Sequence, residues 1–324
     1  MHISHTLRAA VIGSGNIGAF FDAPTSKSIL THAHAYYQHE GFEIVGFVDS
    51  DIEKATAATR KWGGRAYGTV EELFSKEEVD VVSVCSSTAS HAEILKYMES
   101  VDLLGGILEK PLAETIEDAK VLSQSFNSKK GVFIFNFKRR FLPEFRLLSR
   151  SILEGKYGAL VSGHVTYGKG LRNNAIHAFD VFRFFGIDLS NIHFAHTANG
   201  TDFEIVFGLK SGGALHVSAV PTSLYKIFEF DFYFEKARIR ILDEGSPIEV
   251  YCIQNDTLFS GYRTPVLDQV HRSSADCAMK YVVENLYDAI TQGTVPLCTV
   301  YDGYHAQQIC EDVDAFNKNQ MCIQ

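Results

Sequence analysis

The chain has 324 residues, 46% of them apolar and 21% charged, with a formal charge of −9, so it is long enough for two apolar interiors. That charge excludes sequence-independent nucleic-acid binding, whose affinity rests on lysine and arginine neutralising phosphates. No apolar stretch approaches the roughly 20 residues of a membrane-spanning helix.

In chain order, Arg8–Ile12 reads as a short apolar strand opening into Gly13-Ser14-Gly15-Asn16-Ile17-Gly18, and Phe42–Val48 as a second strand ending at Asp49, with a helix expected between them. Further strands are read at Val79–Cys85, Gly106–Leu108 and Val132–Phe135, with helices around Ile52–Lys61, His91–Glu99 and Ile116–Ser125. Strands alternating with helices imply a doubly wound parallel sheet. After Phe137 the texture changes. One helix at Pro143–Leu153 precedes strand-like runs at Val161–Tyr167, Phe203–Leu209, Ala214–Val220, Phe228–Phe234 and Arg238–Leu242; helical spacing returns at Ala278–Ile290 and Tyr301–Phe316. An α/β protein is expected, with a dinucleotide-binding Rossmann domain over 1–136 and an α+β substrate domain over 137–324.

Met1–Arg8 lacks a basic segment followed by an apolar run, so no secretion signal is read there. Cys85, Cys252, Cys277, Cys298, Cys310 and Cys322 show no C-x-x-C spacing, which argues for reduced thiols in the cytoplasm and against a metal ribbon. His32 and His34 have no further ligand nearby and read as part of the first helix, lining a cleft. Lys138-Arg139-Arg140 is read as a solvated turn or helix start in preference to an anion-contacting patch.

Gly13, Gly15 and Gly18 occupy the three positions of G-x-G-x-x-G, where the glycines permit a tight turn, close approach of a pyrophosphate and packing of helix on strand. Asn16 and Ile17 complete that loop. Asp49 at the end of the second strand suits an adenine-ribose hydroxyl and repels a 2′-phosphate, which favours NAD over NADP; a strand-end turn is the other reading. Its distance from Gly18 exceeds the usual spacing, so Phe21–Thr31 reads as an insertion.

Together with Glu109-Lys110-Pro111 and His177-Ala178-Phe179-Asp180, these residues make the chain resemble the Gfo/Idh/MocA family of nicotinamide-dependent oxidoreductases. The resemblance implies a second domain with a large, mostly antiparallel open sheet, a homodimer or homotetramer, a cis bond before Pro111, and Lys110 and His177 as the catalytic residues. A partly desolvated lysine exchanges protons near neutral pH, which suits that role. Glu109 is read either as orienting Lys110 or contacting the nicotinamide ribose, or as half of a structural ion pair. Ser86, Ser87 and His91 resemble the loop that packs near the cofactor, although Ser90 as a helix cap is the plainer account of that segment.

Where family members carry an aspartate four residues before the histidine, this chain has Asn173, followed by Asn174. An amide orients a substrate but takes no proton, so proton transfer falls on Lys110, His177 or both. Asp180 either bonds the His177 ring or caps the helix. Lys169 and Arg172 suit a phosphate or carboxylate, or are only solvated loop charges, and the asparagines suit sugar hydroxyls; Tyr167–Asn174 resembles members of surface-polysaccharide and nucleotide-sugar pathways, which implies a sugar or nucleotide-sugar substrate and surface-polysaccharide biosynthesis. The alternatives are a reductase of a non-sugar carbonyl or dihydrodiol, and a noncatalytic NAD-binding regulator.

Overall fold

Residues 6–321 are described by the computed structural model; the start of the chain and Cys322 lie outside them. Strands β1 (Leu7–Ile12), β2 (Phe42–Val48), β3 (Arg65–Tyr67), β4 (Val81–Val84), β5 (Gly105–Leu108) and β6 (Val132–Phe135) form a six-stranded sheet in the order β3-β2-β1-β4-β5-β6. Every pairing in it is parallel. Helices α1 (His32–Gln38), α2 (Ile52–Trp62), α3 (Val70–Lys76), α4 (Thr88–Glu99) and α5 (Ile116–Ser128) make the connections. Leu7, Ala9, Ala10, Val11, Val81 and Val82 are fully buried, as expected of strands covered on both faces.

Each helix start has a local cause. Thr31, Asp51, Thr69 and Thr115 stand at the caps of α1, α2, α3 and α5, and their side chains accept from backbone N–H groups of the first turn. Between β1 and β2 a single π-helical turn, Asn16–Phe20, follows the glycine loop, and Phe21–Thr31, read as an insertion, delays α1, which carries His32 and His34 as expected, to His32. Asp22 accounts for that delay. Its carboxylate accepts from Thr31 Oγ1 at 2.6 Å and from the Leu30 and Thr31 N–H groups, and pairs with His34 Nδ1 at 2.9 Å, so the insertion is tied to the start of α1.

The second sheet contains β7 (Leu160–Tyr167), β8 (Leu189–Thr197), β9 (Phe203–Leu209), β10 (Ala214–Ala219), β11 (Phe228–Phe234), β12 (Ala237–Ile241), β13 (Ile248–Asn255) and β14 (Arg263–His271). Its order is β14-β13-β12-β11-β7-β10-β9-β8, antiparallel except for the β7–β10 pair. Helices α6 (Pro143–Leu153) and α7 (Ile176–Phe184) belong to the same unit. Along β11, Phe228, Phe230, Phe232 and Phe234 are buried. Phe182 of α7 meets Phe232 edge-on at a centroid distance of 6.4 Å, whereas Asp231 on the other face pairs with Arg238. One face is apolar and the other is laced with charge.

Helices α8 (Ala278–Gln292) and α9 (Val300–Met321) close the chain. Two compact units result, Met1–Phe141 with Asp276–His305, and Leu142–Ala275 with Ala306–Gln324. The expected single boundary at 136/137 lacks this return. Residues of α8 join the first unit through aromatic packing, with Tyr287 lying 4.7 Å from His39 and 5.6 Å from Phe42 between ring centroids. Arg139 and Arg140, expected in a solvated turn, are 4% and 6% exposed; Arg140 pairs with Asp302 and donates to the Leu297 carbonyl. A buried guanidinium needs such partners. Among the described residues no helix is long and apolar enough to cross a membrane.

Candidate active site

The strand order reverses between β1 and β4, and in open parallel sheets ligands bind outside the carboxyl ends of strands at that switch point. The glycine loop follows β1 there. Gly13 has φ +98°, and a Cβ on it would stand 2.3 Å from Ser86 N in the loop after β4. A Cβ on Gly18 would stand 2.2 Å from the Gly13 carbonyl oxygen, so Gly18 is a packing residue. Nothing lies within 4 Å of a Cβ built on Gly15, which leaves one side of the loop open.

That open side borders a cleft of about 610 Å³ lined by Gly13, Gly15, Asp49, Ser86 and Ser87, among others. Asp49 Oδ2 accepts from Ser14 N at 2.9 Å and Oδ1 from Asp51 N at 3.0 Å. These bonds fix the carboxylate against the glycine loop while leaving it lone pairs for a ligand hydroxyl. Lys54, Thr69, Glu93 and Tyr97 line the same cleft. Sequence reasoning missed all four, because they come from helices and a cap with no motif of their own. Asn16 and Ile17 sit on the π turn, exposed and half-buried respectively.

The fit to a dinucleotide rests on shape and donors. The side open at Gly15 admits a phosphate that a Cβ would obstruct, and the first N–H groups of the π turn are the donors any helix start offers. A five-residue turn contributes little macrodipole, so its N–H groups would be the main donors to a phosphate held there. Ser14 Oγ is buried there without a hydrogen-bond partner.

His91 and Ser90 have different places from those expected. His91 is 1% exposed; its Nδ1 faces the Pro111 carbonyl oxygen at 2.8 Å and its Nε2 the Ser86 carbonyl oxygen at 3.1 Å. It braces the loop from behind. Helix α4 starts at Thr88 with Ser87 at the cap position, so Ser90 is no cap; its hydroxyl folds back to Ser86 Oγ and the Ser87 carbonyl. His32 and His34, expected to line a cleft, are fully buried and are not among the residues lining this one. Among the described residues no three His, Cys, Asp or Glu side chains cluster to hold a metal.

Glu109 and Lys110 follow β5, the strand beside β4, and the Lys110–Pro111 bond is cis. Lys110 is half-buried. Glu109 is 8% exposed, and its Oε1 accepts from His32 Nε2 at 3.0 Å and from Asn136 Nδ2 at 2.5 Å. Burial pushes its carboxyl upward, but the His32 hydrogen bond, the charges of His32 and Lys110 and the Asn136 amide together hold it below the usual glutamate range. Cys85, which lines the cleft, is pushed the other way: burial, then the Glu109 charge, raise its thiol well above the ordinary range, so it is a neutral wall of the cleft.

In the second unit a π turn, Leu171–Ala175, runs directly into α7, placing Asn173 exposed, Asn174 half-buried and His177 half-buried at the second position of the helix. Asp180 lies inside α7 and is 1% exposed. It shares a face with His177 by spacing, and its interior position excludes the helix-cap role. Lys169 is exposed with φ +66°. Arg172, expected to meet a substrate anion, pairs instead with Glu311 at 2.8 Å and with Asp314, both on α9.

Residues 7–137 match the model of the Gfo/Idh/MocA family, described as an oxidoreductase family with an NAD-binding Rossmann fold. A D-apiose dehydrogenase of Paraburkholderia graminis is 26% identical over 152 residues, covering 47% of this chain and 38% of that protein. Matches to the first curated relatives span only 38% to 55% of their lengths. An inositol 2-dehydrogenase of Paenarthrobacter aurescens is 24% identical over 340 residues, covering 95% of this chain and 93% of that protein. A solved UDP-N-acetylglucosamine 3-dehydrogenase from Acidithiobacillus ferrooxidans shares the fold over 97% of this chain and 98% of its own, at a TM-score of 0.76 and 17% identity.

Proposed function

We propose, from the match of residues 7–137 to the model of the Gfo/Idh/MocA oxidoreductases, that this protein is an NAD-dependent dehydrogenase interconverting a hydroxyl and a ketone on a sugar, cyclitol or nucleotide sugar. The observation that carries this reading is the pairing, within one parallel sheet, of the glycine-loop cleft after β1 with Glu109-Lys110-Pro111 after β5. The relatives act, by name, on D-apiose, inositol and UDP-N-acetylglucosamine. They support a polyhydroxylated substrate, and a place in surface-polysaccharide biosynthesis is the narrower form of the proposal.

Bound nicotinamide supplies the redox chemistry. The protein's own part is to hold the cofactor and move a proton. Gly13 and Gly15 let the backbone approach the phosphates, and Asp49, anchored through Ser14 N, accepts from a ribose hydroxyl. Its negative charge disfavours a 2′-phosphate, which makes NAD the proposed cofactor over NADP. Lys110 Nζ takes the substrate hydroxyl proton during oxidation and returns it during reduction. His177 is the second proton-handling candidate, and Lys169, Asn173, Asn174 and Asp180 are proposed for the substrate side. With Arg172 paired to α9, Lys169 is an exposed cation of that segment.

Incubating the protein with NAD and a panel of free sugars, inositols and nucleotide sugars tests the reading through reduced-nicotinamide absorbance. Turnover of at least one polyol is expected. Silence across the panel in both reaction directions, with NAD bound, would count against it.

A further inference from the structure

His32 is fully buried, 77 residues from Glu109 in sequence, and belongs to no motif. Its two ring nitrogens are both engaged, Nδ1 with Ser83 Oγ at 2.9 Å and Nε2 with Glu109 Oε1 at 3.0 Å. Ser83 Oγ also meets the Tyr36 hydroxyl at 2.9 Å. His32 Nε2–H donates to the Glu109 carboxylate, while Nδ1 and the Ser83 and Tyr36 hydroxyls continue the hydrogen-bonded chain behind it. Burial pushes the Tyr36 phenol well above its ordinary range, which keeps it a donor.

We propose that His32 is a positioning residue for the reaction: carried by α1 behind the cleft and oriented by Ser83, it fixes Glu109 as an ionised acceptor immediately before Lys110. This inference rests on the dehydrogenase reading above. The geometry favours it over a plain packing role. An imidazole filling a core site needs no partner at a specific carboxylate, whereas here a ring oriented by Ser83 donates its Nε2–H to Glu109. The titratable groups around Glu109 are His32 from α1, Cys85 after β4 and the adjacent Lys110, with the neutral Asn136 amide after β6 completing its hydrogen bonds. Freed of the His32 donor, the buried carboxylate has less to offset its desolvation and gains a proton more readily.

Two substitutions separate the two ends of the ring. His32→Gln places an amide near Nε2 and keeps the bond to Glu109; His32→Asn reaches only the Ser83 side. Expected for His32→Asn is a loss in kcat of roughly tenfold or more, with NAD affinity held, while His32→Gln retains most of wild-type kcat. The double variant His32→Asn/Glu109→Gln is expected to be no slower than Glu109→Gln alone, because the first change acts through the second. Additive losses, or equal losses in the Gln and Asn variants, would overturn the proposal. A substrate-free measurement keeps the test independent of turnover: carbon-13 NMR titration of the Glu109 carboxyl, assigned by its disappearance in Glu109→Gln. Its midpoint should rise in His32→Asn and, by less, in Ser83→Ala, and stay put in His32→Gln; an unchanged midpoint in both of the first two contradicts the proposal. Ser83→Ala serves if His32→Asn fails to fold. Failure of every sugar to react, with the NMR shifts as expected, would strike the dehydrogenase reading and leave the His32–Glu109 coupling standing.

Discussion

The two sheets of this molecule treat their strands in opposite ways. In the parallel sheet the strands of the first unit are covered on both faces, and the chemistry-bearing residues stand at their carboxyl ends, at Gly13, Asp49, Ser86 and Glu109. In the antiparallel sheet one face is apolar under α7 and the other is ionic, and the candidate residues Lys169 to His177 lie on the segment after β7. Candidate residues in the first unit are therefore marked by their place at strand ends. In the second, candidate residues take part in side-chain pairings made far away in sequence, as Arg172 does with Glu311 and Asp314.

The sharpest way to test the contrast between faces is on neighbouring residues of β11. Phe232→Ala removes a fully buried ring packed on Phe182 and Phe185 and should cost about 3–5 kcal/mol in denaturant unfolding of the second unit. Asp231→Asn, one residue along, loses a partly exposed pair with Arg238 and should cost about 1 kcal/mol or less. Comparable costs would mean that the two faces are not as different as their burial indicates. At the tip of β1, Gly13→Ala forces a Cβ onto the Ser86 backbone at an unfavourable φ and should cost at least about 2 kcal/mol. NAD affinity, measured calorimetrically, should fall with it.

Smaller effects sharpen the electrostatic side. Burial raises the Glu109 carboxyl, but His32, Lys110 and Asn136 more than offset that and leave it depressed. A depressed carboxyl contributes stability that is present above its unfolded pKa, about 4.3, and lost as pH falls through the folded value. Glu109→Gln should accordingly flatten stability against pH below about 4.3; an unchanged acid limb would contradict the assigned charge. Arg172→Ala, at a half-exposed pair, should lower stability by no more than about 1 kcal/mol and leave substrate KM nearly unchanged, whereas a large rise in KM would return Arg172 to the substrate.

The sequence made the first unit readable because its signals are local. A glycine turn, an acid at a strand end and a lysine before proline each act over a few residues, and β2 and β6 run over the residues expected, as do α6, β9 and β11 of the second unit. The three-residue edge strand β3, the short α3 and the strands β8, β13 and β14 escaped notice. In β14 the side chains are mostly exposed, so Arg263, Pro265, Asp268 and Gln269 show no apolar alternation. Long-range partners were equally hidden: nothing near His32 announces Glu109, and nothing near Arg172 announces Asp314, 142 residues away. The Thr31 cap identifies where α1 begins but says nothing of what its first residue touches.

The central claim is that Lys110 handles the proton while the glycine-loop cleft holds the cofactor. The direct measurement is steady-state turnover of Lys110→Ala on the best substrate of the panel, together with its calorimetric NAD affinity. Turnover should drop by about 10²–10⁴-fold with NAD binding within a few-fold of wild type. Undiminished turnover at intact NAD binding would contradict the assignment of Lys110.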